Sequence, residues 1–100
     1  GVDIYIHSSD GTVFKNSDIS TVMTVTVFHG SFVITNQSQL ESEFGTGSRL
    51  QWSMKRYSDD DFSAIDSTDS RLSDNGFRLT VSPNDVDRYG IFTVELNAAG

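Results

Sequence analysis

The side chains best equipped for chemistry are acids. Asp59, Asp60 and Asp61 run consecutively, with Asp66 and Asp69 shortly downstream. A hard cation such as calcium takes several oxygen ligands, so a metal loop is one reading. The spacing lacks the Asp-x-Asp-x-Asp-Gly pattern and distant Glu of a calcium-binding hand. Residues 58–61 therefore read as a solvated turn that blunts strand-edge pairing, and neither a metal nor a cofactor is expected. His7 and His29 read as isolated surface residues, His7 on the polar face of its strand. Ser8, Ser9 and Asp10 beside it are the right types for nucleophilic chemistry, but no nucleophile elbow surrounds them. No catalytic residue is assigned, and the chain is read as a non-enzyme. Tyr5, Tyr57 and Tyr89 remain, all on outward strand faces, with Phe28 and Phe32 flanking a turn. Flat aromatic faces with a polar edge suit sugar rings, making these three tyrosines the candidate glycan contacts. The competing reading has them cover strand edges or a neighbouring domain.

Any such residue must be positioned by strands. Leu50, Trp52 and Met54 alternate with Gln51, Ser53 and Lys55, the period-2 pattern of a strand with one buried face. Trp52, the single tryptophan, is expected at the centre of the core. Val2, Ile4 and Ile6 mark a first strand, and Thr12 to Lys15 resume it after a turn at Ser9-Asp10-Gly11. From Ser20 to Phe28 the inward face is Met23, Val25 and Val27. His29-Gly30-Ser31 turns into a short run over 32–35. Asn36 or Ser38 then caps a single helical turn reaching Phe44, with early acids at its positive end and Gly45 closing it. Residues 62–65 make an edge strand at best, and 66–75 read as loop. Asn75-Gly76 is a strong turn dipeptide. Phe77, Leu79 and Val81 follow as a strand, Pro83 to Asp87 as a corner, and Gly90, Phe92, Val94 and Leu96 as the last inward face. Short strands at near-regular spacing predict an all-β antiparallel sandwich or barrel.

Composition narrows the partners. The net charge is −7, with 7 Lys and Arg against 14 Asp and Glu. That balance disfavours nucleic acid and anionic membrane surfaces. There is no cysteine, which excludes disulfides, thiolate metal sites and cysteine nucleophiles. No apolar run reaches membrane-spanning length, and no signal peptide opens the sequence. One hundred residues make one domain, read as 1–97, with 98–100 as a linker or chain end. The chain is expected to be one module of something longer.

Leu79-Thr80-Val81, an acidic corner, and Gly90-Ile91-Phe92-Thr93-Val94 resemble the immunoglobulin pattern Leu-x-Ile, acidic turn, Gly-x-Tyr-x-Cys. Phe92 replaces the corner tyrosine, Val94 and Val25 take the disulfide positions, and Arg88 replaces an acid. The resemblance implies an immunoglobulin-like sandwich of about seven strands, with the valine pair packed on Trp52. More closely, the chain resembles immunoglobulin-like modules of tail and minor structural proteins from phages and prophages of Gram-positive bacteria. That similarity runs through Thr24 to Thr35, through Leu50 to Met54 with Ser58-Asp59-Asp60-Asp61-Phe62, and through Leu79 to Leu96. It implies a spacer in a virion tail made in the bacterial cytoplasm, its partners the neighbouring domains of a longer tail protein. The alternative is an adhesion module for cell-surface polysaccharide.

Overall fold

The computed structural model describes residues 1–9, 21–82 and 90–99. They form strands β1 (Val2–Ser8), β2 (Thr21–His29), β3 (Phe32–Ile34), β4 (Arg49–Arg56), β5 (Ser63–Ala64), β6 (Leu72–Ser73), β7 (Arg78–Val81) and β8 (Gly90–Asn97). Helix α1 (Gln37–Phe44) and a 3-10 turn (Asp74–Gly76) complete the set. One antiparallel sheet has the order β1-β2-β7-β6, with β3 also on β2; the other is β5-β4-β8. Two sheets in these orders make the all-β, immunoglobulin-like sandwich expected from the sequence. Eight strands are described where about seven were expected.

The central strands behave as their alternation predicts. In β4, Leu50, Trp52 and Met54 are buried, and β8 pairs along its whole length with Trp52 opposite Val94. In β2, Met23, Val25 and Val27 are buried, joined by Thr21. Leu79 and Val81 of β7, with Phe77 just before it, complete that inner face. Each such side chain removed from water contributes roughly 1.5–3 kcal/mol, and without disulfides this burial is the main source of stability. The first strand differs from its pattern: Val2 is exposed, and only Ile4 and Ile6 pack against the core.

Helix α1 is two turns long, not one. Asn36 caps it, its Oδ1 accepting from the Gln39 N–H at 2.8 Å, while Gln39 Oε1 accepts from the Thr35 N–H. Leu40 drops into the end of the core. No acid lies in the first turn, against expectation. Glu41 instead accepts from the Gly47 N–H, and Glu43 reaches His29. Glu41 therefore braces the loop after the helix and Glu43 the end of β2, and neither serves the helix dipole.

Residues 66–75 are more ordered than loop. Leu72 pairs with Leu79 to form a two-residue edge strand, and successive left-handed backbone at Asp74, Asn75 and Gly76 closes the hairpin. A two-residue strand has no alternation to betray it; only the Asn75-Gly76 dipeptide announces the turn. At the far end, the Ala99 N–H donates to Ser48 Oγ at 3.0 Å. The expected features at residues 10–20 and 83–89, including the resumed strand and the corner, lie outside the described residues.

Candidate functional site

Asp59, Asp66 and Asp69 are built into their own turns. Asp59 Oδ2 accepts from the Arg56 backbone N–H at 2.9 Å. Asp66 Oδ1 accepts from both the Thr68 N–H and its hydroxyl, at 2.9 and 2.7 Å, and these bonds hold its carboxyl below the ordinary value. Asp69 is bound more firmly. The Arg71 side chain and then its backbone N–H donate to it, lowering its pKa to about 2. Each carboxylate thus spends its lone pairs locally. Among the described residues, no three metal-ligating side chains converge. His29 is not isolated as the sequence suggested. Its Nδ1 lies 3.0 Å from Glu43 Oε1, and its ring tilts over Phe44 with centroids 5.0 Å apart.

Tyr5 and Tyr57 do not meet. Tyr5 stands on the outer face of β1 and Tyr57 just past the end of β4, in the other sheet; Tyr89 lies outside the described residues. Tyr5, 60% exposed, meets Phe28 edge-to-face with centroids 5.4 Å apart. Strand register explains the pair, since Tyr5 opposes Thr26 and Phe28 opposes Asp3. Phe28 also opposes Val33 of β3 on the same face. The result is a shallow depression lined by Asp3, Tyr5, Thr26, Phe28 and Gly30. An apolar ring pair beside a carboxylate and a hydroxyl can stack on a sugar face and bond its rim. The sequence singled out Tyr5 and Phe28 separately; only the register joins them.

A second concavity went unseen in the sequence. It is a partly enclosed cleft of about 260 Å³ between β4 and residues 65–76, reached by the first turn of α1. Leu50, Ile65 and Leu72 form its apolar walls. Its back is closed by Trp52, whose indole Nε1 donates to the Gly76 carbonyl at 2.6 Å. Gln51 Nε2 donates to the Ile65 carbonyl and ties the loop to β4. Gln37 Nε2 donates to the Ser48 carbonyl, leaving Gln37 Oε1 buried and unpartnered. Arg49, Ser67 and Asn75 also line the cleft.

No family model, curated protein or solved structure matches the chain. Among the described residues, no helix is long and apolar enough to cross a membrane.

Proposed function

We propose that the chain is a non-catalytic immunoglobulin-like structural module of a phage or prophage tail-associated protein. What supports the reading is that Val25, Trp52 and Val94, three of the residues carrying the sequence resemblance, fall on the framework of the sandwich. Trp52 lies on the central strand of one sheet beside Val94, and Val25 lies on the central strand of the other. The spacer role asks for rigidity without chemistry, and Asp59, Asp66 and Asp69 are engaged in turn-forming hydrogen bonds. Its setting is the virion tail, beside further domains of the same protein. Antibodies against the chain should decorate the tails of particles induced from the strain that encodes it. Labelling confined to host cells, with bare tails, would overturn the assignment.

The Tyr5–Phe28 depression favours a second reading, adhesion to cell-surface polysaccharide. A glycan array probed with the wild-type chain and a Tyr5→Ala, Tyr57→Ala variant separates the two. Specific binding abolished in the variant supports adhesion, whereas an array blank for both proteins supports the spacer.

A further inference from the structure

Strand β1 is an edge. Among the described residues it pairs with β2 alone, and no further strand lies along its other side. The ladder fixes which backbone groups face that side. The Ser9 N–H donates to the Val22 carbonyl at 3.1 Å, and the β1–β2 register runs on from there to Val2 without a bulge. Hydrogen-bonded positions alternate along an antiparallel pair, so Asp3, Tyr5 and His7 turn their N–H and C=O groups toward β2. Ile4 and Ile6 turn theirs to the open side. Val25, opposite Ile6, likewise turns away from this pair, its N–H donating to the Phe77 carbonyl at 2.9 Å.

Such edges are ordinarily blunted by lysine, proline, a bulge or an inward-pointing charge. The run Val2-Asp3-Ile4-Tyr5-Ile6-His7-Ser8 has none of these. Its inward residues Ile4 and Ile6 pack on the core yet remain only half-buried.

What fits this edge is the same strand turned about a two-fold axis. Antiparallel pairing centred on Tyr5 sets Ile4 against Ile6 and Asp3 against His7, each twice, with Tyr5 against its own copy. The isoleucines become the hydrogen-bonded pairs, as their outward backbone requires. Asp3–His7 and Tyr5–Tyr5 become the pairs whose side chains lie closest. On the outer face an imidazole N–H meets a carboxylate, and the two phenol rings lie side by side with Phe28 of each copy beyond them. On the inner face each isoleucine gains cover. Registers displaced by two residues shorten the ladder and part Asp3 from His7. Strand β8 is also an edge among the described residues, but pairing with itself brings Glu95 against Ile91, Thr93 or another Glu95.

We propose that the chain forms a symmetric homodimer in which β1 pairs antiparallel with β1 of a second copy, joining their two sheets into one. The contact is independent of the spacer and adhesion readings and holds under either. Each copy carries a net charge of −7, so repulsion opposes the dimer and salt tightens it.

Sedimentation equilibrium of the full chain from micromolar to millimolar concentration, at low and high sodium chloride, tests it. The expected result is an approach to twice the 11.0 kDa chain mass, with a dissociation constant on the order of 100 μM that falls at high salt. His7→Asp sets two carboxylates together at both ends of the ladder and should weaken association about tenfold. The double variant Asp3→His, His7→Asp remakes the pairs and should restore it. The chain has no cysteine, so Tyr5→Cys places a single thiol at the axis. Facing residues of that kind of pair lie about 4.5 Å apart at Cα, within disulfide reach. Mild oxidation should cross-link this variant about tenfold faster than Tyr57→Cys, whose site is similarly exposed. Monomer at every concentration, or equal cross-linking of the two cysteine variants, would overturn the dimer. Association indifferent to His7→Asp, or not restored by the double variant, would put the contact elsewhere and overturn the β1 pairing.

Discussion

Trp52 and Tyr5 are both aromatic residues in the middle of strands, yet they have opposite fates. Trp52 points inward from the central strand of its sheet and is 1% exposed, whereas Tyr5 points outward from β1 and is 60% exposed. The difference is one of strand parity, since neighbouring positions face opposite sides of a sheet. Its consequence is a division of labour. The indole is surrounded by both sheets, and its one polar atom is satisfied by Gly76 at 2.6 Å. Among the described residues, the phenol ring has one aromatic neighbour, Phe28, and most of its surface is left to water or a partner. Trp52 therefore answers to stability, while the exposed face of Tyr5 is what the proposed adhesion role would use.

The sharpest way to break this contrast is truncation. Trp52→Ala should cost about 3–5 kcal/mol, a large share of the stability of a domain this small. A denaturant titration showing little change would remove Trp52 from the centre of the core. Trp52→Phe keeps most of the apolar volume but strands the Gly76 carbonyl, for a smaller loss of about 1–3 kcal/mol. If the two variants prove equally unstable, the hydrogen bond and not the packing dominates that corner.

Tyr5→Ala forfeits one edge-to-face pair, about 0.5–1.5 kcal/mol, with the lower end expected at so exposed a site. A loss rivalling that of Trp52→Phe would mean that the outer face is structural and would blur the division of labour.

The acids at 66–71 give the smallest effect and a distinctive pH signature. Hydrogen bonds from Arg71 lower the Asp69 pKa from 3.8 to about 2, so its stabilising contribution is complete above the unfolded value. It is lost as pH falls through that window, when the carboxyl takes up a proton. The melting-temperature gap between wild type and Asp69→Asn should accordingly be constant near neutrality and close toward pH about 2. A gap that persists at the acid end would assign the effect to turn geometry and not to charge. Calcium in the millimolar range should shift melting no more than sodium at equal ionic strength. A saturable shift lost in Asp60→Asn with Asp61→Asn would restore the metal reading of that turn.

Much of the framework was legible because it is written in local periodicity. The inward residues of β2, β4, β7 and β8 follow from alternation, and the turns at Gly30 and Asn75-Gly76 from residue types that accept positive φ. Trp52 was marked as core by size and parity together. The sequence by itself also determined what was excluded, since a chain with no cysteine cannot use disulfide or thiolate chemistry.

The tertiary structure alone decided which distant residues meet. The Trp52 indole reaches a carbonyl 24 residues away, His29 meets Glu43 14 residues on, and Tyr5 finds Phe28 only through the β1–β2 register. It also buried Ile65 and Leu40, short of any strand alternation that would have marked them, and it gathered Gln37, Arg49, Ser67 and Asn75 around one cleft. The reason is physical. Periodicity records which side of its own strand a residue occupies, whereas a site is assembled from strands, loops and a helix whose mutual placement comes from packing two sheets face to face.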